Sequence, residues 1–170
     1  MIKLRPYELS DVYDMLSWMN DENSTKYLGS GFPRHFTLDE GFERIEALIN
    51  GDTTSECFVI SDEADAYLGE CSLMLPDRRA KKAEISVVLI PEARGRGAAY
   101  SALKLLIGYA FCEAGYERLY LKCAAQNTRA LRLYEKLGFT TEGILRRDVF
   151  ADGKIQDAVI MGLIKEEFTE

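Results

Sequence analysis

The segment Ile90-Pro91-Glu92-Ala93-Arg94-Gly95-Arg96-Gly97-Ala98-Ala99 sets arginines and small residues between an apolar stretch and a helical pattern. The first turn of a helix leaves backbone N–H groups without partners and carries the positive end of the helix dipole, so it attracts anions. Gly95, Gly97, Ala98 and Ala99 keep side chains out of the way, which lets a pyrophosphate approach the backbone. Arg94 and Arg96 add positive charge at the rim. An ordinary small-residue turn before a helix would look similar. A phosphate loop of the form G-x-x-x-x-G-K-[ST] is missing. A dinucleotide fingerprint fits poorly, because the third glycine position after Gly95 and Gly97 holds Tyr100, too large for close helix packing.

A second constellation lies downstream. Asn127 and Tyr134 are seven residues apart, close to two helical turns, with the small Ala130 between them. A ligand could run along that face, meeting an amide at one end and a phenol at the other. The plainer alternative is that Asn127 caps the helix and Tyr134 packs in the core. Glu84 opens an otherwise apolar strand, where a carboxylate needs a reason to be buried. It suits a general base, and equally a structural carboxylate at a strand end.

Other chemistries are poorly served. The single histidine, His35, sits in the polar Gly/Pro-containing stretch Gly29 to Phe36, so a Ser-His-Asp triad is not expected. Cys57, Cys71, Cys112 and Cys123 form no C-x-x-C pair, and no set of His and Cys has metal-ligand spacing. Each cysteine lies in an apolar run and reads as a reduced core thiol.

These residues need a scaffold to hold them. Residues 2–5 read as a short first strand. Ser10 can cap a helix over 11–20, with Val12, Met15, Leu16 and Met19 on one buried face. Residues 21–36 read as an irregular loop. Thr37-Leu38-Asp39-Glu40 fits a capping box for a helix with Phe42, Ile45, Leu48 and Ile49 as its stripe, ended by Asn50-Gly51. Strands follow at 56–61, 66–75 and 83–90, the last apolar on both faces and so central. A helix over 98–114 stops at Gly115, a strand occupies 118–124, and a helix over 127–137 ends at Gly138. Strands at 140–150 and 155–164 close the chain around Asp152-Gly153. The order predicts a single mixed α/β domain over 1–170, with one sheet and helices on both faces.

The chain has 170 residues, 47% of them hydrophobic and 29% charged, which suits one buried core. Its net charge of -7 argues against nonspecific nucleic-acid binding and is compatible with a cationic substrate. The start Met1-Ile2-Lys3-Leu4-Arg5-Pro6 lacks the apolar core of a signal peptide. No stretch reaches the roughly 18 apolar residues of a membrane span, so a cytoplasmic protein is expected.

Arg94, Gly97 and Ala99 fill the pattern [RQ]-x-x-G-x-[GA]. With Ala83-Glu84-Ile85, Asn127-Thr128-Arg129-Ala130, Leu133-Tyr134-Glu135-Lys136-Leu137-Gly138-Phe139 and Asp152-Gly153-Lys154, the sequence resembles the GCN5-related N-acetyltransferase (GNAT) superfamily. The likeness is to its branch of ribosomal-protein-alanine and spermidine acetyltransferases. It runs along nearly the whole chain and is clearest from Ala83 to Leu163.

The resemblance implies an acyl-CoA N-acyltransferase fold, a mostly antiparallel sheet that splays between two central strands, here 83–90 and 118–124. It implies acetyl-CoA as co-substrate, no metal, and direct attack by a primary amine on a small molecule or a protein N-terminus. The backbone of Val87, Val88 and Leu89 would bond the pantetheine arm, Arg94 through Ala99 would hold the pyrophosphate, and Asn127 with Ala130 would flank the pantetheine. Tyr134 aligns with the family's general acid, and Glu84 would be the base, directly or through water. Arg129, Arg132 and Lys136 could reach the 3′-phosphate or simply be solvated.

The acceptor pocket would be built from about 11–50 and 143–160. In similar spermidine acetyltransferases the loop near 28–36 is acidic, whereas Leu28-Gly29-Ser30-Gly31-Phe32-Pro33-Arg34-His35-Phe36 carries no carboxylate, which counts against spermidine. The last strands could pair across a homodimer. A CoA-binding regulatory module without turnover and a nucleotide-binding oxidoreductase remain as alternatives. Glu84 with Tyr134 speaks against the first, and Tyr100 against the second.

Overall fold

The computed structural model describes residues 1–29, 34–51 and 54–169. Seven strands form one sheet: β1 (Lys3–Arg5), β2 (Glu56–Ser61), β3 (Tyr67–Asp77), β4 (Lys82–Leu89), β5 (Arg118–Ala124), β6 (Thr140–Ala151) and β7 (Lys154–Ile164). The spatial order is β1-β2-β3-β4-β5-β7-β6. Only β4 and β5 run parallel, because a helix connects them; every other neighbour pair is antiparallel.

The helices are α1 (Val12–Met19), α2 (Glu22–Thr25), α3 (Leu38–Asn50), α4 (Ala98–Cys112) and α5 (Thr128–Lys136). They divide between the two faces of the sheet, giving two apolar layers. One packs Ala83 and Ile85 of β4 and Leu119, Leu121 and Cys123 of β5 against α4 and α5. The other packs Val59 and Tyr67 against Val12, Met15 and Trp18 of α1 and Ile45 of α3. Alternation along each strand then decides which side of the sheet every residue serves. Odd-numbered residues of β4 face α4, and even-numbered ones face the N-terminal helices.

The N-terminal helices sit where a buried polar network holds them. The Tyr7 hydroxyl donates to the Glu70 carboxylate, which also accepts from Arg44 Nη2 at 3.3 Å. Trp18 Nε1 donates to the Tyr67 hydroxyl at 3.0 Å. Removing one partner would strand a buried charge or dipole, so the network specifies one docking of α1 and α3 on the sheet. Gly41 permits close approach of the two helices, since a Cβ there would lie 2.9 Å from side-chain carbons of Val12 and Leu16.

Three local expectations are corrected. Ser10 does not cap α1; it lies within a 3-10 turn at Leu9–Asp11 that runs straight into the helix. Asp11 organises that start, accepting from the Glu8 N–H at 2.8 Å and from both terminal nitrogens of Arg5 at 2.8 Å. Ile49 is 49% exposed and lies off the stripe that Phe42, Ile45 and Leu48 present to the sheet. The stretch 21–36 is not wholly irregular: Asp21 caps the one-turn α2 by accepting from the Ser24 N–H at 2.9 Å. Ser30 to Pro33, part of the expected acceptor loop, lie outside the described residues.

Of the four cysteines read as core thiols only Cys71 and Cys123 are buried, while Cys57 is half-buried and Cys112 exposed; other patterns hold. Thr37 and Glu40 form the reciprocal capping box at the start of α3, and Gly51 closes that helix in the left-handed region. The doubly apolar strand over 83–90 is β4, at the centre of the sheet. No helix among the described residues is long and apolar enough to cross a membrane.

Candidate active site

The central strands part. β4 and β5 pair in register only at Lys82–Arg118, Ala83–Leu119 and Glu84–Tyr120. Beyond Glu84, β4 continues to pair with β3 as far as Leu89 but has no pairing with β5. The edge of β4 at Val87, Val88 and Leu89 therefore presents backbone donors and acceptors to a groove of about 720 Å³. Such groups demand partners when buried, and an extended amide-bearing chain could supply them in the manner of a strand.

The crossover from β4 to α4 forms the next wall. Pro91–Ala93 make a 3-10 turn, and Gly95 and Gly97 then take φ of +79° and +81°. A Cβ built at either glycine meets nothing within 4 Å. Glycine is therefore needed here for conformation: a left-handed residue with a side chain costs roughly 1–2 kcal/mol. The space above the loop is open. Gly97 supplies no side-chain cap, so the first N–H groups of α4 at Ala98 and Ala99 face the groove with the helix dipole behind them. This is a fit for a pyrophosphate held by backbone.

The two arginines behave differently from the expected rim charges. Arg96 is exposed and does not line the groove. Arg94 lines it but turns its guanidinium inward: Nε and Nη2 donate to the Leu89 carbonyl at 3.1 and 3.0 Å. Nη2 also donates to the Ser24 hydroxyl.

Asn127 caps α5, its Oδ1 accepting from the Ala130 N–H at 3.3 Å. It also lines the groove together with Ala130, so capping and ligand contact are compatible in one residue. The expected continuous face from Asn127 to Tyr134 is corrected. Asn127 has ψ of +60°, outside the helix, so the two-turn projection does not hold from it. The groove follows α5 along Ala130 and Leu133, and Tyr134 is not among its lining residues.

Tyr134 instead sits in the α4-side core, 7% exposed, with its ring edge-on to Phe139 at 5.8 Å between centroids. Its hydroxyl makes no hydrogen bond to another described residue. Burial pushes its pKa well above that of an ordinary phenol, with nearby Cys123 and Glu84 adding to the rise.

Glu84 lies on the opposite face of the sheet, at the last paired position before the strands part. Burial raises its pKa above the usual carboxylate range, against the opposing pull of Lys122 through its charge and its backbone N–H. Tyr120, directly across from it, is raised by its own burial and then by the Glu84 charge. Ser72 and Ser86 share a hydrogen bond of 2.7 Å on the same face. Nearby carboxylates are paired: Glu142 takes Arg118 at 2.6 Å, and Asp148 takes Lys122 at 2.9 Å.

The wall that pattern reading missed is formed by residues 23–28, where Asn23, Ser24, Lys26, Tyr27 and Leu28 line the groove opposite α5. Asp21 followed by Ser24 is a capping signal that marks the short helix behind this wall. Among the described residues no group of three or more His, Cys, Asp or Glu is arranged to hold a metal ion.

Comparison with known proteins agrees with this geometry. The family described as Acetyltransferase (GNAT) domain matches residues 2–140. The chain is 27% identical over 170 residues to a spermidine N(1)-acetyltransferase of Vibrio cholerae, covering 98% of this chain and 95% of that one. It is 33% identical over 100 residues to a putative ribosomal N-acetyltransferase, YdaF, of Bacillus subtilis, covering 59% and 55% of the two chains. The crystal structure of spermidine N-acetyltransferase from Vibrio cholerae in complex with CoA and spermine superposes with a TM-score of 0.89 at 26% identity, covering 98% of this chain and 96% of that one.

Replacing Gly97 with Asp is expected to weaken CoA binding at least tenfold, through backbone strain and like-charge repulsion at the pyrophosphate position. Calorimetry on the folded variant checks this, and unchanged affinity would remove the pyrophosphate from this loop.

Proposed function

The chain belongs to the GNAT acetyltransferase family and is an acetyl-CoA-dependent N-acetyltransferase, and from that premise we propose how its own residues divide the reaction. The observation that carries the proposal is the parting of β4 from β5 just beyond Glu84. It gives a passage through the sheet, with Glu84 on the side of the N-terminal helices and Tyr134 on the side of α4 and α5. The whole chain acts as one catalytic domain.

Acetyl-CoA enters from the groove side. Its pyrophosphate lies on the backbone of Gly95 to Ala99, and its pantetheine runs along Val87, Val88 and Leu89 past Asn127 and Ala130. The amine approaches from the Glu84 face. Glu84, directly or through a water, takes a proton from the ammonium so that the nitrogen lone pair is available. A raised carboxylate pKa makes it a stronger base for that step. The N–C bond forms as the C–S bond breaks, the departing thiolate takes the Tyr134 proton, and the acylated nitrogen returns its remaining extra proton to the tyrosinate through water, leaving the amide and a neutral phenol. Burial raises the phenol, and a thiolate desolvated beside it would be raised by the same cause, which favours the transfer.

The acceptor is a primary amine. Spermidine names the Vibrio cholerae relative, but two features of this chain disfavour a polycation. Residues 28–36 contain no carboxylate. On the Glu84 face, Glu142 and Asp148 already hold Arg118 and Lys122. We place the enzyme in the cytoplasm, where its four unpaired cysteines would stay reduced. We further infer a homodimer through β6, an edge strand whose hairpin exposes Ile144 at 61%, Phe150 at 49% and Ile155 at 57%. An apolar edge of that kind invites a second copy.

An acetyl-CoA turnover screen against polyamines, amino sugars, amino acids and N-terminal peptides tests the acceptor. At least one monoamine is expected to exceed spermidine about tenfold in kcat/KM, a difference of roughly one charge contact. Robust spermidine turnover below millimolar concentration would show the pocket charge to be misjudged. No turnover with any amine would favour a CoA-binding module. Sedimentation equilibrium is expected to give twice the 19.2 kDa chain mass, and a monomer would remove the β6 pairing.

Changing Tyr134 to Phe removes only a hydroxyl, so packing against Phe139 should survive. The single-turnover rate is expected to fall about 10²–10⁴-fold with CoA affinity nearly unchanged. Wild-type single-turnover rates across pH 6–9 would make Tyr134 a packing residue.

A further inference from the structure

The segment Asp21–Leu28 walls one side of the groove and is pinned at both ends. At one end Ser24 donates its hydroxyl to Asp21 Oδ2 at 2.5 Å and accepts from Arg94 Nη2. At the other end the Lys26 carbonyl accepts the Asp152 N–H at 2.8 Å, and the Lys26 ammonium lies 3.6 Å from the Asp152 carboxylate. The segment thus bridges the loop after β4 and the turn between β6 and β7, on either side of the parted strands.

A four-residue helix cannot hold itself, because nucleation is unfavourable and one turn returns too few hydrogen bonds. Its order must come from tertiary anchors. Arg94 is one of them, 70 residues away in sequence. Its own position is fixed by two donations to the Leu89 carbonyl, at the end of the strand that lines the groove. Two of the three guanidinium nitrogens are committed to these partners. The neighbouring anion site is complete without them: Gly97 leaves the N–H groups of Ala98 and Ala99 uncapped, and the space over Gly95 and Gly97 is open.

We propose that Arg94 is a positioning residue that acts through Ser24, holding the Asp21–Leu28 strap as a wall of the groove while backbone N–H groups carry the pyrophosphate. The strap and the phosphate loop then form one mechanical unit: whatever fixes the backbone at Arg94 also fixes Ser24. The strap half of this assignment stands independently of the catalytic reading, whereas the pyrophosphate half rests on the groove being the acetyl-CoA site.

Hydrogen exchange of peptides covering 21–28 in the ligand-free protein tests the first half. Arg94→Gln and Ser24→Ala are each expected to speed exchange there about tenfold, and the double variant should be no faster than either single one, because both cut the same link. CoA titration calorimetry tests the second half. Both single variants should lose affinity by the same factor, with no further loss in the double variant, and Arg94→Lys should fall between wild type and Arg94→Gln, because an ammonium can replace Nη2 toward Leu89 and Ser24 but not the second donation from Nε.

Wild-type exchange at 21–28 in Arg94→Gln would overturn the tether. A CoA affinity loss confined to Arg94→Gln, spared in Ser24→Ala and largely restored in Arg94→Lys, would make Arg94 a phosphate ligand instead. Circular dichroism melting of each variant shows that the fold is retained, and Ser24→Ala, a single lost hydroxyl, keeps the test available should Arg94→Gln unfold. A wild-type chain that bound no CoA would defeat the acetyl-CoA assignment and leave the exchange result standing.

Discussion

Everything in the site depends on two strands that pair for three residues and then separate. β4 and β5 are the one parallel pair in an otherwise antiparallel sheet, and α4 must cross between them. Had their ladder continued, the backbone at Val87 to Leu89 would be consumed by sheet hydrogen bonds and the groove would have no polar edge. Because it stops, polar backbone is left on a half-buried edge, a costly arrangement unless something satisfies it. Gly69 holds the other side of β4 in place at that point. With φ of +150°, its Cα lies so near β4 that a Cβ would come 2.1 Å from the Val88 carbonyl oxygen. The strand that offers its edge to the groove is thus fixed firmly against β3.

The second layer of organisation is the docking of α1 and α3. The Glu70 carboxylate, directly across from Val88, gathers Tyr7 and Arg44 on the face that also carries Ser72, Ser86 and Glu84. This polar row lies under the N-terminal helices and runs out from under them toward the parted strands. Apolar packing supplies most of the affinity of these helices for the sheet, and the buried network sets where they stop. The Glu84 face of the sheet inherits its shape from that stop.

Much of this was legible in sequence wherever the signal is local. The Arg94–Ala99 spacing, the Thr37–Glu40 box and the doubly apolar strand over 83–90 are short-range patterns whose causes lie within a few residues. What escaped depends on distant partners. The one-turn α2 reads as loop because its support comes from Arg94 and Asp152. Arg94 reads as a rim charge because nothing in its own neighbourhood reveals Ser24. Ser10 resembles a cap until Arg5 claims Asp11 and moves the start of α1. The Asn127–Tyr134 face presumes an ideal helix through Asn127, whose non-helical ψ leaves the groove running along Ala130 and Leu133 instead.

The placement of Glu84 and Tyr134 on opposite sides of the sheet bears on how such a molecule changes over generations. Substitutions in α1 or α3 fall on one side of the sheet, and those in the Arg94–Ala99 loop or α5 on the other. Effects of well-separated sites add, so drift on one side is not vetoed by the needs of the other. On the division of labour proposed above, descendants can acquire taste for a different amine while the donor machinery is inherited intact. Arg94 and the strap it holds are the exception: they join the two sides, and a change there would be felt by both.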